Sequence, residues 1–100
     1  MDDTVKQLIA QHKAIIFSKT TCPYCDKAKR AFSACNVAPF ILELDQRADG
    51  GAWQDALERI TGARSVPRVF VGGAFIGGGD DTAAKAASGE LKKLCTKAGL

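Results

Sequence analysis

The sequence predicts an α/β fold, a four-stranded mixed sheet flanked by helices on both faces. Three observations carry this expectation. Short apolar runs, too brief for helices, alternate with longer stretches whose apolar residues recur at helical spacing. The first two such runs bracket a helical stretch in a strand-helix-strand unit, which the right-handed crossover rule makes parallel. A glycine pair, Gly72-Gly73, then separates two further short runs, the signal of an antiparallel hairpin.

Taken in order, Asp2, Asp3 and Thr4 suit a helix start, and Val5, Leu8, Ile9 and His12 follow at helical spacing, so a first helix is expected to end near Lys13. Ala14-Ile15-Ile16-Phe17 is uninterrupted, apolar and β-branched at its centre, as a strand covered on both faces should be. After Thr20 and Thr21 comes Cys22-Pro23-Tyr24-Cys25. Pro23 fits the first turn of a helix, where its missing N–H would have no intrahelical partner. Ala28, Ala31, Phe32 and Cys35 form that helix's apolar stripe, and Asn36 ends it.

Pro39 to Leu44 reads as a second strand, and Asp49-Gly50-Gly51 separates it from a helical stripe at Trp53, Ala56, Leu57 and Ile60 that stops at Gly62. Val66 to Val71 and Ala74 to Ile76 are the hairpin strands. Gly77-Gly78-Gly79 and Asp80-Asp81 then open an Ala-rich helix, and Leu91, Leu94, Cys95 and Ala98 mark a last amphipathic one.

At 100 residues the chain has room for one domain, expected to span 1–100. Hydrophobic residues make up 46% and charged residues 25%, so the composition is that of a folded globule. The net charge of +3, with acids interleaved among bases, argues against a nucleic-acid partner. No apolar run approaches the ~18 residues of a membrane span, and the Met1-Asp2-Asp3 start lacks the pattern of a secretory signal. A cytoplasmic, monomeric protein with no membrane contact is the expectation.

The four cysteines, Cys22, Cys25, Cys35 and Cys95, pose the functional question. Too few for a stapled secreted scaffold, they leave structural, metal-binding and catalytic readings open. A zinc site would need four ligands, and outside the Cys-x-x-Cys only Cys35, Cys95 and His12 remain, both cysteines already placed on apolar helix stripes where they read as packing residues. No metal is therefore expected. At a strand-to-helix junction the first sulfur of the pair sits on the helix N-terminus, where free N–H groups and the dipole favour a thiolate. Lys19 adds a nearby cation. Cys22 is thus the expected nucleophile, and Cys25, one turn inside, is suited to resolving a mixed disulfide.

Lys19-Thr20-Thr21-Cys22-Pro23-Tyr24-Cys25, then Ser65-Val66-Pro67, then Gly77-Gly78-Gly79-Asp80-Asp81, resemble the motifs of a dithiol glutaredoxin, in order and spacing over essentially the whole chain. The resemblance implies the thioredoxin-like fold and a glutathione-dependent thiol-disulfide oxidoreductase that reduces glutathione mixed disulfides and protein disulfides. It implies that Pro67 is a cis-proline opposite the Cys22 sulfur, turning Val66 outward so that its backbone pairs with the cysteinyl part of glutathione. The N–H groups of Gly79 and Asp80 would take the γ-glutamyl carboxylate and Asp81 the neighbouring ammonium. Lys19 and Gln54 would hold the glycyl carboxylate, with Tyr24 and Ser65 completing the glutathione contacts. On pattern alone, Gln54 would be a solvated helix residue, and Arg68 is as readily a solvent-facing strand residue as a source of positive field.

The implied cycle uses no tightly bound cofactor. Glutathione is the co-substrate, NADPH enters indirectly through glutathione reductase, and the partners are glutathionylated or disulfide-containing proteins. Two departures stand out. Gly79 replaces a Cys common in the family, and Ser65 replaces the commoner Thr. The family also offers an alternative, an iron-sulfur carrier in which Cys22 of two chains and two glutathiones hold one cluster; Pro23 stiffens the position where such relatives often carry Gly or Ser. A reductase served directly by a flavoenzyme, as thioredoxin is, fits less well because Thr21 and Pro23-Tyr24 stand where thioredoxin has Trp and Gly-Pro.

Overall fold

The computed structural model describes residues 1–100. The elements run α1 (Asp2–Gln11), β1 (Ala14–Ser18), α2 (Pro23–Ala34), β2 (Phe40–Glu43), a 3-10 turn (Leu44–Gln46), α3 (Gly50–Thr61), β3 (Arg68–Val71), β4 (Ala74–Gly77), α4 (Gly79–Ser88) and α5 (Glu90–Lys97). The strands form one sheet in the order β2-β1-β3-β4. β1 and β2 are parallel, with Ile15 opposite Phe40; β1 and β3 are antiparallel, with Ile15 opposite Phe70. The mixed sheet expected from the crossover unit and the hairpin is present.

β1 divides the interior. Successive side chains on a strand point to opposite faces, so Ile15 and Phe17 join Val5 and Ile9 of α1 and Trp53, Ala56 and Leu57 of α3 on one side. Ala14 and Ile16 join Ala28, Ala31 and Phe32 of α2 and Leu91 and Cys95 of α5 on the other. All five residues of β1 are buried, which explains its unbroken apolar run. Phe17 and Phe32 are fully buried, one in each half, and each contributes about 1.5–3 kcal/mol by leaving water. This two-sided grip holds the C-terminal end of β1, and with it the chain leading to Cys22, in a fixed place.

Several boundaries differ from the sequence pattern for identifiable reasons. β2 is an edge strand, half exposed, and stops at Glu43 because Leu44 turns into the core to begin the 3-10 turn. β3 starts after Pro67, whose nitrogen has no hydrogen to give to a ladder. The pair Gly50-Gly51, read as a separator, instead forms the first turn of α3. Gly50 is buried, and a Cβ there would run into the Leu44 carbonyl oxygen and lie 3.1 Å from its carbon. A missing side chain, more than a flexible backbone, is what this position uses. The hairpin glycines do need their freedom: Gly72 and Gly73 have φ of 60° and 83°, the paired positive values of a tight hairpin turn.

The two remaining cysteines divide. Cys95 is 1% exposed in the core, as a packing residue should be. Cys35 instead caps the C-terminus of α2, half buried against the same cluster.

Candidate active site

Cys22 is the N-cap of α2, and Pro23 opens its first turn. The Cys25 N–H donates to the Cys22 sulfur at 3.2 Å, so the helix offers that sulfur one of its unpaired donors together with the positive end of its dipole. The Cys22 thiol lies 3.7 Å from the Val66 carbonyl oxygen. Val66-Pro67 is a cis peptide, as the sequence comparison of motifs implied. The contact with Val66 joins segments 44 residues apart in sequence.

Cys25 is buried beneath. Its sulfur accepts from the Lys19 backbone N–H at 3.4 Å. Burial, and next the contact with Cys22, pushes the Cys25 thiol up to about 11, while the Lys19 N–H opposes that rise. The two sulfurs are therefore chemically unequal, one partly exposed at a helix end and the other kept protonated in the interior. Both are free thiols, as are Cys35 and Cys95.

Beside Cys22 lies a cleft of about 340 Å³, lined by Tyr24, Ser65, Val66, Pro67, Arg68 and Gly78 to Asp81. One wall is the start of α4, whose first N–H groups, Gly79 and Asp80, have no intrahelical acceptor. Asp81 folds back so that one carboxylate oxygen accepts from the Gly78 N–H at 3.1 Å, leaving its other oxygen available to the cleft. Gly79 sits under Tyr24: a Cβ there would lie 3.0 Å from the Tyr24 Cβ and 2.5 Å from its carbonyl oxygen. Lys27 of α2 pairs with Asp80 at 2.6 Å across the rim, with both side chains well exposed.

Seven of the expected glutathione contacts, Tyr24, Ser65, Val66, Pro67, Gly79, Asp80 and Asp81, thus line one cleft. Lys19 and Gln54 do not. Lys19 approaches through its backbone, at Cys25, while its ammonium acts on the Asp45 carboxylate. Gln54 corrects the solvated-helix expectation: it is 8% exposed, and its amide donates to the Arg64 carbonyl at 3.2 Å. The helical pattern missed this because the partner lies on the loop before β3.

Arg68, left undecided by the pattern, lines the cleft. Its guanidinium donates to the Pro67 carbonyl at 3.1 Å and to the Ser65 hydroxyl at 3.3 Å, and lies 5.1 Å over the Phe75 ring. Asp45 carries no signal in the sequence pattern. Its carboxylate accepts the Thr20 N–H and hydroxyl just before the cysteine pair, across 25 residues and with no local motif to announce it.

Comparison with known proteins places this geometry. The glutaredoxin family model matches residues 14–76. Glutaredoxin-C4 of Arabidopsis thaliana is 51% identical over 92 residues, covering 92% of this chain and 68% of that protein. Glutaredoxin-C8 of Oryza sativa subsp. japonica is 48% identical, over 90% of this chain and 68% of its own. Among solved structures, oxidized glutaredoxin 2 from Chlamydomonas reinhardtii superposes with a TM-score of 0.94 at 52% identity, over 98% of this chain and 92% of that one. A buckwheat glutaredoxin-glutathione complex gives 0.92 at 40% identity, over 98% and 89%. With a helix-capping cysteine set against a cis-proline loop, on a sheet of matching topology, the chain belongs to the glutaredoxin family.

Proposed function

We propose that residues 1–100 act as one redox domain, a glutathione-dependent thiol-disulfide oxidoreductase with Cys22 as nucleophile and Cys25 as resolving thiol. One observation carries the reading: the Cys22 sulfur, 3.2 Å from a helix N-terminal N–H, faces the Val66 carbonyl at the mouth of a cleft lined by backbone donors and Asp81. That arrangement suits a nucleophilic sulfur beside a seat for a peptide bearing both a carboxylate and an ammonium.

In the proposed cycle the Cys22 thiolate attacks the glutathione sulfur of a mixed disulfide. The substrate sulfur leaves as a thiolate and takes a proton from water, and a Cys22-glutathione disulfide remains. A second glutathione thiolate attacks the glutathione sulfur of that adduct, which forms glutathione disulfide and returns Cys22 as thiolate. With a protein disulfide, the Cys22 thiolate attacks one sulfur, breaks the S–S bond and releases the other as a thiolate, which leaves a Cys22-protein mixed disulfide; Cys25 then gives its proton to water, attacks the Cys22 sulfur and expels the second substrate thiolate. Glutathione later reduces the Cys22-Cys25 bond, and glutathione reductase with NADPH restores the glutathione.

During these steps the Val66 backbone pairs with the cysteinyl part of glutathione as an added strand would. The Gly79 and Asp80 N–H groups receive the γ-glutamyl carboxylate, and the free Asp81 oxygen receives the ammonium. Lys19, which lies outside this cleft, serves the glycyl carboxylate at the other end, while the Gln54 amide is already committed to the Arg64 carbonyl. The buried Cys25 thiol stays neutral while Cys22 exchanges, so the resolving bond closes only when a substrate dwells on Cys22.

The test is to trap the first intermediate. The Cys25→Ser protein is incubated with glutathione disulfide, quenched in acid and mapped by peptide mass spectrometry. One glutathione on Cys22 is the expected result. No adduct, or one confined to Cys35, would overturn the assignment.

A further inference from the structure

Residues 19–21 connect β1 to the cysteine pair; besides Cys25 and the adjoining Ser18 hydroxyl, the side chain that hydrogen-bonds to them is that of Asp45, 25 residues on. The Asp45 carboxylate accepts the Thr20 N–H at 3.1 Å and 3.2 Å on its two oxygens, and also accepts the Thr20 hydroxyl. Both donors of Thr20 therefore go to one group. Asp45 is itself well placed, because the preceding Leu44 is 1% exposed and packs in the core that holds Phe17 of β1. The base of the anchor and the strand feeding the loop are thus parts of one packed body.

The loop matters for what it presents. The residue directly before Thr20 is Lys19, whose own N–H meets the Cys25 sulfur at 3.4 Å. Cys25 in turn gives its own N–H to Cys22. We propose that Asp45 is a positioning residue for the cysteine pair: by pinning Thr20 it holds the Lys19 N–H against the Cys25 sulfur.

This rests on the reading of Cys25 as the resolving thiol. The electrostatics run in the same direction as the geometry. The Thr20 hydrogen bonds hold the Asp45 carboxyl below its usual range, so the anchor is an ionised acceptor at neutral pH, and the Lys19 ammonium acts in the same direction. The Lys19 N–H lowers the Cys25 thiol against the larger effect of burial, so a loosened loop should let that thiol rise.

The experiment measures the alkylation rate of Cys25 against pH in Cys22→Ser protein, read by mass spectrometry of the peptide. Adding Asp45→Asn keeps the size of the side chain but leaves one acceptor for two donors. It should raise the Cys25 midpoint by about half a pH unit or more. Thr20→Val, which loses the hydroxyl donor, should shift the midpoint in the same direction, whereas Thr20→Ser, which keeps both donors, should hold it in place.

An unmoved midpoint in folded Asp45→Asn protein overturns the proposal. If circular dichroism shows that variant unfolded, the Thr20 pair decides, and equal midpoints for Val and Ser overturn it. The measurement needs no glutathione turnover. A shifted midpoint together with a wild-type protein inactive with glutathione would sink the activity and keep Asp45; normal wild-type activity with no shift would do the reverse.

Discussion

Closure of the Cys22-Cys25 bond should be strongly pH-dependent in a window where an ordinary thiol is already levelling off. In the dithiol protein the Cys25 thiol is pushed up to about 11, chiefly by burial and secondly by its contact with Cys22. Once Cys22 carries glutathione that contact is gone, and burial, the largest cause, still raises the thiol against the Lys19 N–H and the Ser18 hydroxyl. Only the thiolate attacks, and below its midpoint each pH unit multiplies the thiolate tenfold. From pH 7 to 9 the closure rate should therefore rise by up to about 100-fold, whereas a solvent-exposed thiol with a pKa of about 8.5 would rise only about 25-fold and flatten over the upper part of that range.

The assay starts from the purified Cys22-glutathione adduct, freed of excess glutathione and mixed into buffers across this range. Acid quenching and intact-mass analysis then follow the loss of the adduct, with Cys25→Ser as the protein that cannot close. A rate that reaches a plateau below pH 8.5 would refute the reasoning, because it would mean that the interior does not hold the Cys25 proton.

Two further expectations concern the scaffold and the cleft. Gly50→Ala should destabilise the protein by about 1–3 kcal/mol in a thermal or urea melt, since its Cβ meets the Leu44 backbone, while Gly51→Ala, 3.7 Å from the nearest atom, should be neutral or slightly stabilising; equal effects would refute the close-approach account. Asp81→Asn, which keeps the acceptor for the Gly78 N–H but removes the charge, should raise the KM for glutathione mixed disulfides about tenfold with little change in kcat or Tm, as steady-state kinetics and melting would show.

How far the sequence reaches is set by the range of the interactions. Ile15-Ile16-Phe17, the Cys22 helix start and the Gly72-Gly73 turn are local statements, in which residue type and spacing determine strand, cap and hairpin. All appear where the pattern puts them. Gly50, Gln54 and Asp45 are different, because each is defined by what a remote segment does: the Leu44 carbonyl pressing on a helix start, the Arg64 carbonyl turning an apparently solvated amide inward, and the Thr20 donors reaching an acid beyond β2. No periodicity encodes such contacts. The same holds for the site, where the motif names Cys22 and Val66 separately and the fold brings them within 3.7 Å.

The central claim is that Cys22 alone does the glutathione chemistry and that Cys25 serves only the step that closes a disulfide. It is tested most directly by steady-state reduction of a glutathione mixed disulfide, coupled to glutathione reductase and NADPH, on wild type, Cys22→Ser and Cys25→Ser. The account predicts no turnover for Cys22→Ser and substantial turnover for Cys25→Ser. Activity surviving in Cys22→Ser, or lost in Cys25→Ser, would contradict it.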